Sequence, residues 1–194
     1  MIEKILDLDS YLFLYLNNLG SQYYDNFWIF LSRTEANVMV YLVILIAYIY
    51  SINNKKRTKI LFHLIIAIAI LITISDQTSN LFKDSFQRLR PCYNELISDS
   101  LRLVKDSCGG RYGFFSAHAS NSFSLAIFFG LLLRSSNKLL ILLFALYAFL
   151  ISYSRIYLGV HYPIDIIVGT IFGTVNAIVL YKIYLYSFNF LNKS

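Results

Sequence analysis

One pattern limits what this chain can fold into more than any other: long apolar runs joined by short basic turns. Val38 to Ile52, Ile60 to Phe82, Leu139 to Tyr153 and Ile164 to Leu185 are apolar almost throughout, broken mainly at Ser75-Asp76-Gln77. Ser122 to Leu133 joins them when it is extended back through the Ala/Ser-rich residues 117–121. A crossing helix needs about 20 such residues, and lipid offers no partner to unpaired backbone groups, so these runs read as spanning α-helices. Composition agrees: charged residues are 14% of the 194, against about 25% in soluble domains. We therefore expect one all-α integral membrane domain over residues 1–194, a helical bundle of five or six spans. The net charge of +6 follows from Lys and Arg beside the spans, so no nucleic-acid partner is expected.

Residues 1–35 are amphipathic. Leu6, Leu8, Tyr11, Leu12 and Leu16 recur among Asp7, Asp9, Ser10 and Asn17, and Phe27–Leu31 is too short to cross. One or two helices lying in the membrane interface, anchored by Trp28, fit this pattern; a single tilted span through residues 9–31 is the alternative. Met1-Ile2-Glu3-Lys4 and the broken segment after it do not resemble a cleaved leader. The basic turns Asn53–Arg57 and Arg134–Lys138, with Lys59 and Lys193, belong on the cytoplasmic side. Alternation then places the outer loop, residues 83–115, and the turn Ser154–Pro163 on the same outer face. That loop carries Lys83, Arg88, Arg90, Arg102, Lys105 and Arg111 against the positive-inside tendency, so its cations need another use.

Three polar clusters meet on that face. Lys83 precedes Arg90-Pro91 by seven residues; if the helix runs on to about residue 90, both cations share one face and suit an anion with several oxygens. Ser116-Ala117-His118 opens a span, where a helix N-terminus attracts anions and His118 can move protons near neutrality. Arg155 adds a third cation, and His161 and Asp165 are four residues apart, so the carboxylate can hold one imidazole nitrogen and leave the other as a nucleophile. Pro163 fits the first turn of the last helix. Each cluster alone also fits a structural role, as snorkelling cations, an N-cap serine or a buried His–Asp pair. Their convergence on one membrane face favours chemistry. His63 reads as a core histidine, Asp76 as structural support, and Gly169 with Gly173 as a close helix contact.

Lys83-x6-Arg90-Pro91, Ser116-x-His118 and Ser154-Arg155-x5-His161-x3-Asp165 together resemble the three-part signature of the type 2 phosphatidic acid phosphatase (PAP2) superfamily. The resemblance covers about residues 60–185, a PAP2-like catalytic core. In the second block Phe115-Ser116-Ala117-His118 stands where the family reads Pro-Ser-Gly-His, so a Cβ occupies a place where backbone approaches the phosphate. The resemblance implies a phosphatase that acts on a phosphomonoester or pyrophosphate lipid and needs no metal or other cofactor. His161 would be the nucleophile, Asp165 its orienting carboxylate and His118 the acid and base. Lys83, Arg90, Ser116 and Arg155 would bind phosphate.

Candidate substrates are undecaprenyl pyrophosphate, phosphatidylglycerophosphate, phosphatidic acid and lipid A phosphates. A lipid phosphotransferase and a non-catalytic anion binder are the other classes. The expected place is a bacterial inner membrane with the site facing the periplasm. There the outer compartment is oxidising, and we expect a disulfide between Cys92 and Cys108. Arg111, beside flexible glycines, is the candidate for a second anionic group on the substrate.

Overall fold

The computed structural model describes residues 2–52, 57–105, 107–133 and 139–193, with side chains through Asn189. The basic-turn residues Lys55, Lys56, Arg134 and Lys138, and the side chain of Lys193, lie outside the described residues. Seven α-helices make up the described fold: α1 (Ile2–Asn18), α2 (Asp25–Leu31), α3 (Thr34–Ser51), α4 (Arg57–Phe86), α5 (Ala117–Leu133), α6 (Leu139–Tyr157) and α7 (Pro163–Lys193).

α1 and α2 are separate helices, joined by a turn that Ser21 caps by accepting the Tyr23 N–H. No single span through residues 9–31 forms. α1 has an unusual distribution of polarity. It buries Asp9, Phe13 and Asn17 on one face and exposes Leu8, Leu12 and Tyr15 on the other. A helix at the lipid interface suits this arrangement, since its apolar face meets acyl chains while its polar face meets protein. Asn17 donates to the carbonyls of Arg102, Ile156 and Tyr157 and accepts the Arg102 N–H, tying α1 to the outer loop and to the end of α6. α2 docks beside it, with Trp28 stacked on Tyr157 at 5.1 Å.

Among the described residues four helices, α3, α4, α6 and α7, are long and apolar enough to cross a membrane. α5 has 17 residues, or roughly 26 Å of helix, and sits at the centre of the bundle. Its most extensive contacts are with α7 and α6. Gly169 and Gly173 make the α7 contact possible: a Cβ on Gly169 would come within 2.7 Å of the Ser116 carbonyl oxygen, and one on Gly173 would overlap that of Ser120. Small residues let two backbones approach in this way. A polar seam runs along the same contact. Ser75 of α4 bonds Ser120 and Ser124 of α5, Ser124 donates to the Gly173 carbonyl, and Asn176 donates to Ser75 and to the Leu71 carbonyl. Such bonds contribute about 0.6 kcal/mol each in a membrane, less than the packing of Leu64, Leu71, Phe128, Phe129 and Leu180 around them.

The seam and the glycines set the C-terminal ends of α4 and α6 beside the N-terminal ends of α5 and α7. α4 stops at Phe86 instead of running on to residue 90, because Gln87 adopts a left-handed conformation (φ 45°) and donates its N–H to the Lys83 carbonyl. The shared helix face expected for Lys83 and Arg90 therefore does not exist. α6 continues past Tyr153, so Ser154 and Arg155 lie in its last turn. Gly159 (φ 81°) ends that helix and Val160 donates back to the Arg155 carbonyl, which reverses the chain toward α7.

Candidate active site

The reversal after α6 delivers His161 and Asp165. Pro163 opens α7, with no N–H to leave unpaired. Asp165 reaches back to accept the Tyr162 N–H at 3.1 Å, as a carboxylate in a helix's first turn commonly does, and the positive end of the helix dipole favours its charge. The same oxygen, Oδ2, faces His161 Nδ1 at 3.4 Å. Nε2 is thus the nitrogen left for reaction. His161 is 2% exposed and Asp165 is fully buried. Burial, then the charges of Arg90, Arg155 and Lys83, push the His161 pKa well below its ordinary value. The imidazole is neutral at neutral pH, the state a nucleophile requires.

Arg90 reaches this histidine from a backbone pairing and not from a helix. Residues 88–90 run antiparallel to 111–113, with Arg90 N–H on the Arg111 carbonyl at 3.1 Å and Gly113 N–H on the Arg88 carbonyl at 2.9 Å. The Arg90 side chain then donates to the Tyr112 and Cys108 carbonyls. Gly113 lies at the junction: a Cβ there would stand 3.1 Å from Arg90 Cγ, 3.3 Å from Asp165 Oδ2 and 3.6 Å from His161 Nδ1. Cys92 and Cys108 are bonded to each other and close the loop behind Arg90.

Arg155 is 5% exposed; it donates through Nη1 to the Ser32 hydroxyl, while its buried Nε has no partner among the described residues. An unsatisfied buried guanidinium nitrogen is costly unless a ligand completes it. Ser116 caps α5 by accepting the Ala119 N–H at 3.4 Å, which leaves its own hydroxyl proton for an anion. Its backbone N–H donates to the Asp165 carbonyl, so α5 and α7 start from a shared bond. Lys83 stands in the last turn of α4, with Asn80 at 3.4 Å.

His118 lies near Arg155 and His161, with the Ser32 backbone beside its ring. It also lines a cavity of about 460 Å³ between α3, α4 and α5, whose walls include Tyr41, Leu45, Ile72 and Phe129. Ala117 faces this cavity, and Asp76 and Asn121 form a hydrogen-bonded pair in its wall.

The structure thus gathers Lys83, Arg90, Ser116, His118, Arg155, His161 and Asp165. Arg111 is exposed on the loop, and only its backbone joins the assembly. Lys105 comes closer: it is half-buried, and burial followed by the charges of Arg155, Arg33 and Arg90 lowers its pKa. Lys105 has no motif spacing to mark it. Arg88, two residues before Arg90 and one of the loop cations without an assigned role in the sequence, bonds Asp165 Oδ1 through its guanidinium at 2.7 Å. Ser154 turns its hydroxyl back to the Ile151 carbonyl at 2.5 Å, inside its own helix. His63 bonds the Lys59 carbonyl, about 30 Å down α4 from Lys83.

Two histidines, a buried carboxylate and convergent cations at one end of a helical membrane bundle can carry out phosphoryl transfer. The family described as the PAP2 superfamily matches residues 64–189, and this chain belongs to it. It is a membrane phosphatase. A protein of Bacteroides thetaiotaomicron described as a lipid A 4'-phosphatase is 38% identical over 175 residues, covering 89% of this chain and 75% of that protein. One of Porphyromonas gingivalis with the same description is 34% identical over 187 residues, covering 96% and 77%. Among solved structures, Aquifex aeolicus LpxE superposes with a TM-score of 0.66 at 26% identity, covering 88% of this chain and 93% of that one. The PAP2-type phosphatidylglycerolphosphate phosphatase of Bacillus subtilis gives 0.69 at 13% identity, covering 91% and 84%, a likeness of fold.

Proposed function

We propose that this protein removes a phosphate from lipid A, or from a closely related phosphorylated lipid, at the outer face of a bacterial inner membrane. The observation that carries the reading is the mainly apolar cavity that His118 helps to line. It gives an acyl chain a place inside the membrane while the head group reaches the cations. The descriptions of the two relatives favour lipid A and its 4'-phosphate within that class.

Lys83, Arg90, Arg155 and the Ser116 end of α5 hold the phosphoryl oxygens. His161 Nε2 attacks phosphorus and forms a P–N bond. The bond from phosphorus to the lipid oxygen breaks, and His118, which takes up a proton when the anionic head group binds beside it, gives that oxygen its proton. Asp165 stabilises the cationic phosphohistidine through Nδ1. His118, now neutral, takes a proton from water; the hydroxide displaces His161 and releases phosphate.

The test is phosphate release by the full chain in detergent with EDTA, from lipid A, phosphatidic acid, phosphatidylglycerophosphate and undecaprenyl pyrophosphate. Release from lipid A at the 4' position, abolished in His161→Ala, is the expected result. Cleavage of another lipid with lipid A untouched reassigns the substrate, and release that survives His161→Ala removes the nucleophile.

A further inference from the structure

Asp9 belongs to α1, far in sequence from the site, yet a single guanidinium separates it from Asp165. Arg88 donates through Nη1 to Asp165 Oδ1 at 2.7 Å and through Nη2 to Asp9 Oδ2 at 2.5 Å. Asp9 Oδ1 accepts the Ile164 N–H at 2.9 Å, in the first turn of α7. The arrangement is buried: Asp9 is 2% exposed. Arg88 also lies over the Tyr162 ring at 4.1 Å, and Tyr162 packs edge-on against Phe13 of α1 at 5.4 Å.

A helix that only had to be anchored could use Phe13 and Asn17. A buried carboxylate is an expensive anchor unless its charge is used. The surrounding charges supply the use. His161 and Asp165 face Lys83 from α4, Arg88 and Arg90 from the segment after it, His118 from α5 and Arg155 from α6. Without Asp9, Asp165 and Arg88 would form a neutral pair. Asp9 supplies the second anion, so the pair of carboxylates around one guanidinium keeps a net negative charge toward His161.

We infer that Asp9 is a positioning residue for the phosphatase reaction, acting through Arg88 on Asp165. This rests on the proposed histidine nucleophile. α1 is then part of the catalytic assembly and not only an interfacial anchor. By charge balance, Asp9 stabilises the positive charge that develops on His161 as its bond to phosphorus forms.

The experiment measures kcat and KM across pH for full-length wild type, Asp9→Asn and Asp9→Glu in detergent, with melting temperatures alongside. Asp9→Asn keeps the shape and an oxygen for the Ile164 N–H but removes the charge. We expect kcat to fall about tenfold or more with KM within about twofold. The acid limb of kcat/KM moves to lower pH, because losing a nearby negative charge makes the His161 imidazolium less stable. Asp9→Glu returns the limb toward wild type and recovers part of kcat. An Asp9→Asn enzyme with unchanged kcat and acid limb overturns the inference. So does activity lost together with melting temperature while the limb of the residual activity stays in place, which is the behaviour of an anchor. His161→Ala in the same assay separates the two ideas: if it still releases phosphate, the nucleophile reading fails and takes this one with it.

Discussion

The two halves of the site are built in opposite ways. The α6–α7 turn holds Arg155, His161 and Asp165 through local means: two helix ends, Gly159 in a left-handed conformation and a first-turn carboxylate that bonds its own backbone. The connection between α4 and α5 brings Arg88, Arg90, Lys105 and Gly113 with no α-helix at all. It is held by a disulfide, a backbone pairing and tethers to the N-terminal region through Asn17 and through Asp25, which accepts from Arg102. The first half carries His161, the proposed nucleophile, and its carboxylate. The second surrounds them with cations. Groups that must keep their distances are placed by short-range structure, while the half that supplies most of the cations is held by links that can be loosened one at a time.

Substitution at the junction gives the largest effect. Gly113→Ala puts a Cβ against Arg90 and Asp165 together and separates the halves. We expect kcat/KM to fall about 10- to 100-fold in steady-state assays, with the fold retained by circular dichroism. An unaffected rate would mean that the halves adjust independently.

Opening the disulfide loosens only the second half. Paired Cys92→Ser and Cys108→Ser changes remove a crosslink spanning 16 residues and should cost about 3 kcal/mol of stability. KM should rise about fivefold while kcat changes less. A fall in kcat at constant KM would break the division of labour.

The smallest effect comes from the Asp25 tether. The Arg102 hydrogen bond, opposed by burial and helped by Tyr157, lowers the Asp25 pKa. Its folded pKa lies below the unfolded one, so the stabilisation is complete above about pH 4 and is lost as pH falls through the folded value. Asp25→Asn should therefore melt a few degrees below wild type at neutral pH, with the gap closing in acid. A gap independent of pH would assign Asp25 a role other than its charge.

The same contrast explains what the sequence disclosed. The local half was legible because His161, Pro163 and Asp165 carry their geometry in their spacing. The spans were legible from hydropathy, and Gly169 with Gly173 announced a close contact. The second half was legible only in part: Arg90 and the Cys92–Cys108 bond were expected, but the backbone path was not. Gln87 ends α4 in a conformation usually signalled by glycine, so no residue marks the end of the helix before Arg90. Lys105 and Arg88 reach the site through pairings between distant segments. Asp9 and Asn17 looked like the wet side of an interfacial helix, whereas their side chains are the buried ones.

The position of Asp9 also bears on biogenesis. α1 leaves the ribosome before α7, but its buried carboxylate depends on Arg88 and on the Ile164 N–H, which belongs to α7. Until α7 enters the membrane, α1 can only rest at the surface with Asp9 hydrated. The lock between these two helices closes only when α7 is in place, so a chain stalled before α7 lacks it. On this reading, a phosphatase built this way stays silent until α7 has met α1.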